Sequence, residues 1–213
     1  MFPRRQPLRI ALLAAIAFAA FESPAFAGKF NRVLSVGDPA PAWKDLIGVD
    51  DQRHSLSGCK AKLVVVVFIA NHCPVAAAYE ERLKQLAVDY RERDVELVAI
   101  SVSQLDSDRL DKMKGRGKDS QFTFPYLQDV TQTIGHRYGA TTTPQVFVLN
   151  AERRIAYMGA FDDQWKDATK VETHYTRAAI DALLADKQPE IRETRPVGCA
   201  IEYADDPGQS KPQ

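Results

Sequence analysis

The chain has 213 residues, with 28 basic and 28 acidic side chains, so its formal charge at neutral pH is zero. That balance gives no reason to expect nucleic acid or an anionic membrane as partner, and three cysteines are too few for a disulfide scaffold. An odd cysteine count also leaves at least one thiol free, capped or bonded to another molecule.

In chain order, Arg4, Arg5 and Arg9 precede an apolar run from Ile10 to Phe21, and Ala25-Phe26-Ala27 offers small residues for cleavage. Residues 1–27 therefore read as a secretory signal peptide, since about 20 apolar residues are needed to span a bilayer and this run is shorter. Gln6-Pro7 after the paired arginines fits twin-arginine export poorly, and no cysteine follows Ala27 to carry a lipid. The expected location is the periplasm or the medium, with membrane contact only before cleavage. The rest is long enough for one full core, divided as a domain over 28–188 and a C-terminal extension over 189–213. The polar end, residues 204–213, is expected to be disordered.

Residues 28–48, with Pro39, Pro41 and Gly48, read as an irregular lead-in that Trp43 can pin to the core. Asp50-Asp51-Gln52 forms a turn before a short strand ending at Leu56. Val64 to Val67 with Phe68 and Ile69 is a strand buried on both faces. Behind it, Val75, Tyr79, Leu83, Leu86 and Tyr90 recur at helical spacing to about Arg91, with Glu80 and Lys84 as an i,i+4 pair on the wet face. Val95 to Val102 is a second apolar strand, so the two strands and their helix call for a parallel βαβ unit.

A charged, partly helical stretch follows from Asp106 to Asp119. Phe124 to Leu127 leads into a short helix over Val130 to Tyr138, which Gly139 closes. Thr141 to Pro144 precedes a strand over Val146 to Leu149, and a turn at Ala151 to Arg153 returns the chain as Ile155 to Met158, an antiparallel hairpin. After a polar loop from Asp162 to Lys170, Val171, Tyr175, Ile180 and Leu183 mark a last amphipathic helix. In that loop, Asp162, Asp163 and Asp167 can in principle hold a cation, but acidic turn residues are more often solvated. Glu80 and Glu81 likewise read as helix surface.

Cys73 is the candidate reactive group. Proline is favoured at the first helical position, so Pro74 places Cys73 at the N-cap, where unpaired N–H groups and the helix dipole favour an anion. A thiol there ionises more easily than a free one; the plainer alternative is a small buried hydrophobe. His72 can stabilise a thiolate when protonated, although a structural role is its simpler reading.

The order strand, Cys at a helix start, strand, helix, Thr-Pro, hairpin, helix is similar to the thioredoxin fold over about residues 37–186, an α/β architecture with a central mixed sheet flanked by helices on both faces. In FIANHCPVA, Cys73 falls on the first, nucleophilic thioredoxin cysteine and Ala76 on the second. Thr143-Pro144 resembles the family's Thr-Pro, whose proline is cis and lies against the reactive sulfur. The resemblance implies that Thr143 and Pro144, with Asn71 and His72, line the place of a substrate backbone. More narrowly, NHCP, AYEERL, FPYLQD, GAFDD and RPVGC resemble a peroxiredoxin-like group of the alkyl-hydroperoxide-reductase/thiol-specific-antioxidant superfamily. Peroxiredoxins carry Pro-x-x-x-Thr/Ser-x-x-Cys; here Ala70, Asn71 and His72 precede Cys73, and the peroxidatic position is Ala76.

Thiol–disulfide exchange needs a thiolate, an accessible sulfur and a group to resolve the mixed disulfide. Cys73 is expected to supply the first two. Cys199, included in the resemblance, is the candidate resolver, weighed equally against a spare thiol in a loose tail or a structural disulfide with Cys59, which has no assigned role. The expected reaction is thiol–disulfide exchange with a protein or small-molecule disulfide, reset by an external thiol. Peroxide reduction through a sulfenic acid, a metal chaperone and a non-enzymatic binding module are the alternatives. No cofactor or metal is assigned, and His54, His136 and His174 are scattered.

Overall fold

A computed structural model describes residues 28–204. Residues 1–27, where a signal peptide is expected, and residues 205–213 of the expected disordered end lie outside them. Within the described residues are nine strands and four helices: β1 (Leu46–Gly48), β2 (Arg53–His54), β3 (Leu63–Phe68), α1 (Pro74–Arg91), β4 (Val95–Ser101), α2 (Leu110–Asp119), β5 (Tyr126–Gln128), α3 (Thr133–Tyr138), β6 (Thr142–Thr143), β7 (Gln145–Leu149), β8 (Ile155–Gly159), α4 (Tyr175–Leu184) and β9 (Cys199–Ala200). Seven strands form one mixed sheet in the order β2-β1-β5-β4-β3-β7-β8, and β6 pairs with β9 apart from it. The fold is the expected α/β, thioredoxin-like one. Among the described residues no helix is long and apolar enough to cross a membrane.

β3 lies inside the sheet between β4 and β7, and every one of its residues is buried. Successive side chains of a strand point to opposite faces, and β3 divides accordingly. Leu63, Val65 and Val67 join α1, α4 and Met113 in one cluster, whereas Val64, Val66 and Phe68 join Trp43, Ile134 and Tyr138 in the other. β3 lies parallel to β4 and antiparallel to β7, whose hairpin with β8 is antiparallel. Each buried valine contributes roughly 1.5–3 kcal/mol, so this strand fixes the platform for α1 and the Cys73 turn.

Several local expectations change. The lead-in contains β1, which joins β2 to the sheet through β5, and Leu56 heads a 3-10 turn instead of ending a strand. Val171 caps the 3-10 turn Ala168–Lys170 and stays outside α4, which starts at Tyr175. Glu80 does not pair with Lys84: it accepts from Arg116 Nε at 2.6 Å and Ser120 Oγ at 2.7 Å, tying α1 to α2, while Lys84 turns to Glu81. Asp162 is not solvated. Its buried carboxylate accepts from the Tyr79 hydroxyl and Arg82 Nη1, both at 2.7 Å, because α1 packs directly over this loop.

The extension after α4 runs back over the molecule. Glu193 accepts the amide protons of Lys29, Phe30 and Asn31, Thr194 Oγ1 accepts from the Ala160 amide, and Ile201 is buried with the Trp43 cluster. Tyr203 stacks on His136 and donates to the Ala140 carbonyl at 2.7 Å. Cys199 thus lies between two anchored points.

Candidate active site

Cys73 is the N-cap of α1, with extended backbone angles and Pro74 at the first helical position. Its sulfur accepts from the Ala76 amide at 3.3 Å and lies 3.0 Å from the Thr143 carbonyl oxygen. The amide and the helix dipole favour negative charge on that sulfur. The carbonyl opposes it, and suits a thiol or a disulfide better than a thiolate.

Cys73 is bonded to Cys199, with Cα atoms 5.9 Å apart, a spacing ordinary for a disulfide. Cys59 is the free cysteine, so the alternative pairing of Cys59 with Cys199 is not the one adopted. Burial pushes the Cys59 thiol up to about 12, which keeps it protonated and a poor nucleophile at neutral pH. The expectation of an accessible Cys73 does not hold. The residue is wholly buried, because β9 pairs with β6 in the register Thr143 to Cys199 and Thr142 to Ala200 and covers it. Cys199 itself is partly exposed.

Of the residues assigned to substrate contact, Thr143 and Pro144 stand at the sulfur, joined by a cis peptide bond. The side chains of Asn71 and His72 are held in the turn. Asn71 Nδ2 donates to the Ser107 carbonyl at 2.9 Å, and its Oδ1 accepts from the Tyr126 hydroxyl at 3.0 Å. His72 Nδ1 lies 2.6 Å from Asp108 Oδ2, while the Asn71 amide and the Ser103 hydroxyl also donate to that carboxylate. His72 also lines a cavity of about 310 Å³, shared with Val102, Leu105, Thr143 and Tyr203.

Asp108 is the organising residue that the sequence hides. It sits in a stretch of alternating charges that resembles a solvated surface, and nothing local marks its burial. Gly198 is the second such residue: a Cβ there would overlap the Thr143 carbonyl oxygen and stand 2.6 Å from its carbon. The signal available for it is its place beside Cys199 in RPVGC. Among the described residues no three His, Cys, Asp or Glu side chains gather to hold a metal.

Comparison with known proteins identifies the family and the fold. The sequence model described as the AhpC/TSA family matches residues 36–158. An uncharacterized conserved protein from Geobacillus kaustophilus superposes with a TM-score of 0.77 at 30% identity, over 83% of this chain and 96% of that one. A hypothetical protein from Sinorhizobium meliloti 1021 gives 0.76 at 29% identity, over 83% and 98%. The peroxidoxin BcpB of Mycobacterium tuberculosis gives 0.53 at 19% identity, over 71% and 95%, a likeness of fold. No curated protein sequence matches significantly.

Proposed function

The chain belongs to the AhpC/TSA family, a group of thioredoxin-fold redoxins, and from that premise we propose an exported thiol oxidoreductase whose nucleophile is Cys73 and whose partner is Cys199. The observation that carries the reading is the bond between the helix-cap sulfur and the β9 sulfur beside Thr143-Pro144. Export rests on the basic and apolar start of the chain.

In the oxidised protein Cys199 is the partly exposed residue of the pair, Cys73 being wholly buried, so its sulfur is the one that takes the attack. An external thiolate bonds to it, the Cys199–Cys73 bond breaks, and Cys73 leaves as a thiolate received by the Ala76 amide. A second external thiolate then takes the first from Cys199, giving one external disulfide and the reduced protein. In the other half, the Cys73 thiolate attacks a substrate disulfide and releases one substrate thiolate. Attack by the Cys199 thiolate on the Cys73 sulfur releases the other and restores the internal bond. The Asp108 network holds the turn carrying Cys73.

The same internal bond is what condensation of a Cys73 sulfenic acid with Cys199 would leave, so peroxide is the second reading. Titration of the reduced protein with hydrogen peroxide and with a protein disulfide, followed by mass mapping of the cysteines, separates the two. Disulfide exchange requires rapid formation of the Cys73–Cys199 bond with the protein disulfide. A Cys73→Ser variant that retained activity would overturn both readings.

A further inference from the structure

The short sheet of β6 and β9 lays a strand of the chain itself across the Cys73 site. The chain's own segment Gly198–Ile201 lies antiparallel along Thr141 to Thr143, with the Ile201 amide donating to the Thr141 carbonyl at 2.9 Å. Cys199 points at the Cys73 sulfur, Ala200 is exposed, and Ile201 is buried again, the alternation of an extended strand. Immediately before the cysteine the two backbones meet so closely that no side chain fits at Gly198. The atoms a Cβ would meet are the carbonyl of Thr143 and the Pro144 nitrogen at 3.1 Å, backbone atoms that no rotamer change can move. Gly198 does not have a positive φ, so the demand is for space and not for backbone freedom.

We infer that the Thr141–Pro144 edge, where the proposed function already places a substrate backbone, selects an extended polypeptide whose reactive cysteine directly follows a glycine, and that the segment Gly198–Ile201 is its resident competitor. This rests on Cys73 being an exchange nucleophile. A polypeptide of the form Gly-Cys-x-apolar takes the backbone bonds of β9, sets its sulfur at Cys73 and fills the place of Ile201. A residue larger than glycine before the cysteine forces the strand off the Thr143 carbonyl. Tethering gives the resident segment an effective concentration on the order of millimolar, so an incoming strand must displace it. When Cys199 returns to attack the Cys73 sulfur, the tail reoccupies the groove, and resolution of the mixed disulfide coincides with release of the substrate strand. The protein disulfide formed is reduced again by an external dithiol.

The test uses the full-length, reduced Cys199→Ser protein and peptides of the sequence Pro196 to Tyr203, their cysteine activated as a mixed disulfide with thionitrobenzoate. Attack by the Cys73 thiolate forms the protein–peptide disulfide and releases coloured thionitrobenzoate, and mass mapping locates the adduct. The native peptide should react at least about tenfold faster than the same peptide with alanine in place of glycine. Introducing Gly198→Ala into the protein should dislodge the resident strand and accelerate reaction with the native peptide. Equal rates for the two peptides overturn the groove, and an unchanged or slower rate in the Gly198→Ala protein overturns the competitor. Dithiobis(nitrobenzoate), which has no backbone to dock, serves as reference. If it labels Cys73 while the peptides are not distinguished, only this inference falls; if neither it nor the peptides label Cys73, the exchange reading falls with it.

Discussion

His72 Nδ1 and Asp108 Oδ2 stand 2.6 Å apart, and the Asp108 side chain has no solvent exposure. The same carboxylate receives the Asn71 amide and the Ser103 hydroxyl. A loop after β4 thereby holds both residues that precede Cys73, and the position of the sulfur depends on a residue thirty-odd positions away in the sequence. Asp108→Ala leaves those donors without an acceptor in a confined site and should lower unfolding stability by about 2–4 kcal/mol. Asp108→Asn keeps one acceptor oxygen and should cost less than the alanine variant. Urea unfolding of the two proteins measures the difference, and equal stability for wild type and Asp108→Ala would show that the carboxylate does not hold the turn.

A second buried carboxylate secures the other end of α1's first turns. Asp162 accepts from Tyr79, Arg82 and the Gln164 amide, and the Arg82 guanidinium lies 4.0 Å from the centre of the Tyr79 ring. Arg82→Met strands the carboxylate without its counter-charge and should cost about 3–5 kcal/mol, whereas Tyr79→Phe removes one neutral donor and should cost about 1 kcal/mol. Reversal of that order in denaturant titrations would mean the ring packing, not the charge, carries this contact.

These two carboxylates mark the boundary of what the sequence discloses. The strand over Val64 to Phe68, the Cys73 cap and the Thr143-Pro144 turn are legible because their signals are local: an apolar run, a proline at the first helical position, a dipeptide. Asp108 and Asp162 lie in runs of charge whose ordinary fate is solvent, and they are buried only because distant segments supply donors. The exposed-looking Glu80 follows the same rule, since its partners Arg116 and Ser120 are on another helix and just beyond its end. β1 and β9 are three and two residues long, and pairing with distant strands defines them more than any periodicity of their own. The burial of Cys73 is hidden for the same reason, because the cover comes from residues beyond α4.

Alkaline pH should destabilise the protein in a defined sense. Burial raises the ionisation of Tyr79, Tyr126, Tyr138 and Tyr157 above the ordinary tyrosine value of 10, and raises Cys59 from 9 to about 12. Because these groups hold their protons more tightly when folded, their contribution is fully present below the unfolded values. It is lost as pH rises from about 9 through the folded ones. The melting temperature should therefore fall steadily above about pH 9, and tyrosinate absorbance should appear for the buried rings only as the chain unfolds. Ionisation of all seven tyrosines at their ordinary pH in a still-folded protein would contradict this packing.

Ala76 offers a direct way to redistribute the chemistry. It is buried at the third position of α1, and its amide already donates to the Cys73 sulfur, so a sulfur at this position starts within the same turn. Ala76→Cys should let the introduced thiol form a disulfide with Cys73 that competes with the Cys73–Cys199 bond, which closes a separation of 126 residues. Every molecule that forms the short bond leaves Cys199 as a free, partly exposed thiol. Alkylation without reductant should then label the Cys199 peptide in the variant and not in the wild type. Turnover of a protein disulfide with an external dithiol should rise, because the resolver no longer waits on movement of β9. The added sulfur displaces packed atoms and should cost about 1–3 kcal/mol of stability, small enough for a folded protein to be assayed. Absence of Cys199 labelling would show that the first turn of α1 cannot accommodate the bond, and that the chain is built to resolve through its C-terminal strand alone.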